Sequence, residues 1–232
     1  MDLLLHGLKK AIEMILEGDP EIAEITLRTL EVSMTAILIS TIGGVPAGIL
    51  LGLSRFPGRK LLLTFVNIGM GLPPVVAGLW ITIFLWRSGP LGDLSLLYTP
   101  VAIIIAQTLV SFPIVTGLTA AAFQQLDEKM ILQIKALGAT RWQLLWILMK
   151  EARLALLAAV IAGFGRVIAE VGAAMMVGGN ISGETRILTT TIVMEVSKGN
   201  FEVALALSFI LMAIAFLITF CLTYLQQRKR HA

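Results

Sequence analysis

Five stretches of this chain are too apolar, over too great a length, to be held in water. Crossing the hydrocarbon of a bilayer as a helix takes about 20 mostly apolar residues. Residues 29–53, 61–86, 97–123, 154–179 and 203–225 each meet that requirement. The 232 residues are 57% hydrophobic and 14% charged, with a mean hydropathy of +0.89. A soluble domain of this length needs far more polar surface. The predicted fold class is therefore all-α: a polytopic membrane protein with about five transmembrane helices, forming one domain over residues 25–228.

Composition also removes several chemistries. A single cysteine, Cys221, excludes an internal disulfide and a cysteine-based metal cluster. His6 and His231 lie near opposite ends, so no histidine-centred catalytic site is expected. No nucleophile–base pair stands out in the apolar runs, and no metal or cofactor is expected on this chain. The net charge of +3 is too small to suggest nucleic acid as a partner.

The opening residues place Leu5, Leu8, Ile12, Ile15 and Leu16 at helical spacing. Residues 1–24 are read as an amphipathic helix lying at the interface. A signal peptide fits worse, because Lys9 and Lys10 follow the leucines and no small-residue cleavage site comes next. Basic residues in short loops set orientation. Arg55, Arg59 and Lys60 follow the first run; Lys129, Lys135, Arg141, Lys150 and Arg153 follow the third; Arg228, Lys229 and Arg230 follow the fifth, beginning the basic tail completed by 229–232. With five spans these three regions share one side, which is read as cytoplasmic. The N-terminus is then outside and the C-terminus inside.

Between the third and fourth runs, residues 124–153 are too polar for lipid. Their pattern is helix, break at Gly138, helix. Met130, Ile134 and Leu137 make one apolar stripe; Leu144, Leu145 and Leu148 make another. Gly138 suits a left-handed helix end and Thr140 a cap for the next helix. Such a hairpin either packs on its own bundle or docks on a soluble partner.

The run LGATRWQ in this hairpin resembles the cytoplasmic loop of permease subunits in ATP-driven importers, written EAA, three residues, glycine, nine residues, I-x-L-P. Gly138 matches the glycine. The EAA positions are instead Leu132, Gln133 and Ile134, and the I-x-L-P positions are Leu148, Met149, Lys150 and Glu151. Residues 164–207, FGRVIAEVGAAMMVGGNISGETRILTTTIVMEVSKGNFEVALAL, are similar to oxyanion permeases, and with KEARLALL upstream they look like the tungstate permease branch, which shares the altered loop. The resemblance implies an ABC importer permease fold, molybdate-permease-like, in a prokaryotic cell membrane. It implies a two-fold dimer of this chain, with each hairpin seated through Lys135, Ala136, Leu137, Gly138, Ala139, Thr140 and Arg141 on one of two ATPase subunits. Those subunits would use ATP and magnesium, and the sequence itself carries no GxxxxGK[ST]. An extracytoplasmic tungstate- or molybdate-binding protein would deliver the anion. Tungstate is the expected substrate, with molybdate or sulfate as alternatives, and a stand-alone anion carrier as the remaining one.

Within the spans, Arg166 and Glu170 lie four residues apart. Intramembrane charges are costly and face an interior. They are read either as an i,i+4 packing pair or as groups along an anion path. Met175 and Met176 are core fillers or a flexible gate. Gly69, Gly71, Pro73 and Pro74 weaken the second span, and SFP at 111–113 the third, as kinks or as path-lining segments. Asn180, Ser182, Thr185 and Thr189 to Thr191 form an outer connection suited either to an oxyanion or to a partner surface.

Overall fold

A computed structural model describes residues 2–228; the basic tail 229–232 lies outside the described residues. Every regular element among the described residues is helical: α1 (Asp2–Glu17), α2 (Pro20–Leu53), α3 (Arg59–Met70), α4 (Pro74–Leu85), α5 (Pro100–Gln124), α6 (Glu128–Ala136), α7 (Arg141–Glu151), α8 (Arg153–Ile168), α9 (Gly172–Gly178), α10 (Leu188–Ser197) and α11 (Phe201–Arg228), with a 3-10 turn at Gly92–Leu94. Three helices are long and apolar enough to cross a membrane alone, and two bent pairs raise the number of candidate spans to five.

The boundary expected at residue 24 falls inside α2. The Asp19 carboxylate accepts from the backbone N–H of Glu21 and Ile22, and Pro20 opens the helix with its fixed φ. At 34 residues, α2 is about 51 Å long and outreaches the hydrocarbon. α1 does not lie apart from the bundle. A Cβ on Gly7 would sit 2.6 Å from that of Leu205 on α11, and Ala11 is buried against the same helix cluster. Leu5, Ile12 and Leu16 remain exposed, on the face a bilayer would cover.

The tightest helix pair is α2 with α5. Ser40 meets Ser111 at 2.6 Å. A Cβ on Gly44 would meet Val115 and Thr116, one on Gly48 Thr119, and one on Gly52 Phe123. Residue numbers rise together on both helices, so the pair is parallel, as first and third spans must be. Small residues every fourth position let the backbones approach this closely.

The second and fourth spans are broken. α3 and α4 meet at 104°, and α8 and α9 at 57°. The weak point anticipated at Pro73 and Pro74 is the first break. The one anticipated at SFP is not a break: α5 runs through Pro113 as unbroken helix. Pro113 packs where Gly69 leaves room, since a Cβ there would lie 2.8 Å from its ring. One apolar core joins Val32, Ile103, Ala173 and Val177 around α9, and another joins Phe123, Leu148 and Ala152 beside the α6–α7 hairpin.

Candidate coupling hairpin and intramembrane breaks

The hairpin is built by local rules. Asp127 caps α6 by accepting from Lys129 N–H at 2.8 Å. The chain reverses at Gly138, whose φ of +83° favours a residue without a Cβ. Thr140 and Gln143 then cap α7 reciprocally: the Thr140 N–H donates to Gln143 Oε1 at 2.8 Å and the Gln143 N–H to Thr140 Oγ1 at 3.3 Å. One face is anchored: Leu148 is fully buried, with Met130, Ile134 and Leu144 packed beside it.

The other face is bare. Leu137 is 88% exposed and Trp142 82%, with Leu132 and Trp146 also exposed. Leu137 therefore leaves the stripe assigned to it, because it sits at the helix end and turns outward. Lys150 lies 3.5 Å above the Trp146 ring. Of the residues expected to couple, Lys135, Ala136, Leu137, Gly138, Thr140 and Arg141 are exposed at the tip and Ala139 is half-buried. Trp142 belongs to the LGATRWQ run that carries the family resemblance, but the spacing of the hairpin does not mark it or Trp146 as exposed.

The two breaks touch each other. A Cβ on Gly172 would meet Val75 Cγ2 at 2.6 Å, and one on Gly78 would meet the Ala173 Cα at 2.7 Å. Pro73 caps α4 and Pro74 starts it, next to the first residue of α9. Arg166 and Glu170 do not form the i,i+4 ion pair that is one of the two readings of their spacing. α8 ends at Ile168, so Glu170 has left helical register. Its carboxylate turns to accept from the Ala173 N–H at 2.8 Å instead, and the residue is only 5% exposed. The Arg166 Nε is buried with no acceptor among the described residues. Met175 and Met176 are half-buried. Met176 packs on the core around α9, and its carbonyl accepts from Thr82 Oγ1 at 3.3 Å.

The threonines of the outer connection are committed internally. Thr189 donates to the Glu170 carbonyl, Thr190 to Asn180 Oδ1 and Thr191 to the Ile187 carbonyl, while Thr185 donates to the Gly178 carbonyl. All four residues are buried. Arg186 pairs with Glu21 at 2.9 Å, and Arg28 donates to the Glu184 carbonyl, tying this loop to the start of α2. At the end of α10, Lys198 at 2.6 Å and Asn200 at 2.8 Å bond the Glu195 carboxylate. The Lys198 hydrogen bond first, then that of Asn200, holds this carboxyl below the usual carboxylate range, against the opposing effect of burial.

Bent spans around a two-helix hairpin define a known architecture. Residues 44–231 match the family described as binding-protein-dependent transport system inner membrane component. The chain belongs to that family. The permease is 38% identical over 98% of its length to the whole tungstate uptake system permease protein TupB of Peptoclostridium acidaminophilum. It is 33% identical to the protein of that name in Campylobacter jejuni, over 95% of this chain and 92% of the other. The sulfate transport system permease protein CysW of Synechocystis is 26% identical over 96% and 84%. Its fold is that of the MetNI methionine ABC transporter in inward-facing conformations, with a TM-score of 0.71 at 19% identity, covering 90% of this chain and 95% of that one. The permease is thus a multi-pass membrane component of an ABC transporter and not an enzyme, in a family whose members work with ATPase and substrate-binding partners.

Proposed function

We propose that this permease carries tungstate into a prokaryotic cell across its cell (inner) membrane, as a dimer of two copies seated on two ATPase subunits and fed by an extracytoplasmic tungstate-binding protein. The observation that carries this reading is near-full-length identity of 38% and 33% to two tungstate permeases, against 26% to a sulfate permease. The bare apolar tip at Leu137 and Trp142 supports a soluble partner on the hairpin. ATP and magnesium act on that partner, and closure of the ATPase pair would move the hairpins and, through them, the bent spans as rigid bodies. We assign Arg166, Glu170, Pro73, Pro74, Met175 and Met176 to the anion's route or its edge, a reading supported by the contact between the two broken spans at Gly78, Gly172 and Ala173.

The test is uptake in cells lacking their own oxyanion importers and supplied with this chain, its ATPase and its binding protein. Labelled tungstate should accumulate only with all three, and excess molybdate or sulfate should compete weakly. Sulfate competing as well as tungstate would move the permease to the sulfate group. Uptake by this chain alone would make it a stand-alone carrier.

A further inference from the structure

The loop joining α4 to α5 is far more rigid than a surface connection needs to be. It folds back on the end of α4: Gly89 N–H donates to the Trp86 carbonyl at 2.7 Å, Leu91 N–H to Phe84 at 3.0 Å and Gly92 N–H to Gly89 at 3.1 Å. A Cβ on Gly89 would lie 2.3 Å from the Ile83 oxygen, and one on Gly92 2.4 Å from the Trp86 oxygen. No side chain fits at either place. The far end is pinned to α9, where Tyr98 N–H donates to the Val177 carbonyl at 2.9 Å. Within this frame two residues with side chains hold left-handed backbone, Ser95 at φ 50° and Tyr98 at φ 64°. Strain of that kind persists only where its surroundings enforce it, and it gathers at sites of function.

What the frame encloses is a cavity of about 420 Å³ lined by Leu85, Trp86, Arg87, Ser95, Leu97 and Tyr98. Trp86 is 49% exposed and Tyr98 42%. Arg87 is exposed and has no ion pair or hydrogen-bond partner among the described residues. Tryptophan, tyrosine and arginine are the residue types that dominate protein–protein hot spots, seated in preformed pockets. Here all three rim one cavity. Because the loop is already fixed, a partner would meet little ordering cost on binding it. The cavity lies at the Pro100 end of α5, and the hairpin follows the Gln124 end.

We infer that this cavity is the anchor pocket for the soluble substrate-binding protein, accepting an acidic side chain of that protein onto Arg87 between the Trp86 and Tyr98 rings. The inference rests on the importer reading, which puts the hairpin inside the cell and this loop outside. An unpaired arginine selects a carboxylate, and the flanking rings exclude water and strengthen the pair.

The experiment uses the purified permease–ATPase complex in nanodiscs, with ATP hydrolysis titrated against the tungstate-loaded binding protein. Arg87→Glu and Trp86→Ala should each raise the half-saturating concentration of binding protein by about tenfold or more. Basal hydrolysis without the binding protein should be unchanged. Arg87→Lys should recover part of the loss, since it keeps the charge but not the fork. Unaltered half-saturation in both variants overturns the pocket while the importer reading stands. So does a loss confined to Trp86→Ala, which would leave Arg87 no carboxylate to bind. An effect that follows phosphatidylglycerol content, equal with and without binding protein, assigns the cavity to a lipid headgroup and also overturns it. If the unaltered complex shows no stimulation by the binding protein, the importer reading falls and this partner with it.

Discussion

Arg166 and Glu170 stand four residues apart in the sequence, yet the chain bends between them and each meets a different fate. Glu170 accepts from a buried N–H at the start of α9, so its worth is separable from its charge. Glu170→Ala leaves the Ala173 N–H with no acceptor in a buried site, a loss of about 1–3 kcal/mol. The thermal midpoint of the solubilised complex should fall, and Glu170→Gln, which keeps an oxygen there, should restore most of it. If glutamine is as damaging as alanine, the charge matters and the hydrogen bond does not. Arg166 is the opposite case. Its buried Nε has no acceptor among the described residues, so Arg166→Ala removes no bond seen at that nitrogen. Assembly yield should be unchanged while anion uptake per complex falls by about tenfold, the order expected when one favourable charge is lost along a path. Equal loss of assembly would make Arg166 a packing residue.

Elements obey sequence rules wherever the deciding interaction is local. Gly138→Pro forces φ near −65° on a position held at +83° and deletes the Gly138 N–H bond to the Lys135 carbonyl. The variant should insert and assemble, yet hydrolyse ATP without moving anion; normal uptake would refute the hairpin's role. At the α10–α11 turn, Glu195 keeps its charge to lower pH in the folded protein than in the unfolded chain. Its contribution is therefore complete above the usual carboxylate range and disappears as pH falls through its lowered native value. Glu195→Gln should lower the melting midpoint at neutral pH by the equivalent of about 1 kcal/mol, discounted for the half-exposed Lys198. The gap from the unaltered protein should close in acid. The Gly138 reversal, the Thr140 cap and the break at Pro73 and Pro74 were legible because each depends on residues close in the chain. That α5 stays continuous helix through Pro113 was not, and the residue its ring packs on, Gly69, is remote in sequence. The threonines at 185, 189 and 190 misled for a related reason: their acceptors at Gly178, Glu170 and Asn180 lie on other elements. Leu137 matched the apolar stripe in spacing and left it in space, since periodicity has no meaning past the last turn of a helix.

Across the whole molecule, one axis organises everything proposed. α5 has 25 residues, which makes it about 37 Å long, more than the roughly 30 Å of hydrocarbon. The hairpin follows one end, and the Trp86–Tyr98 cavity and the Asn180–Arg186 loop lie at the other. Eleven basic residues fall on the hairpin side by the five-span count and six on the opposite side, the bias from which we propose that the hairpin faces the cytoplasm. That assignment is testable without any substrate. Cys221 is exposed, so labelling starts from Cys221→Ser. Leu137→Cys, at the exposed tip, should react with a membrane-impermeant maleimide only after the cells are permeabilised. Ser182→Cys, near-isosteric and exposed on the opposite loop, should react in intact cells. The two variants are each other's control, because both sites are solvent-facing and differ only in the side of the membrane. The reverse pattern would turn the permease over, put the hairpin beyond reach of any ATP-driven partner, and leave the cavity facing a compartment with no delivered anion.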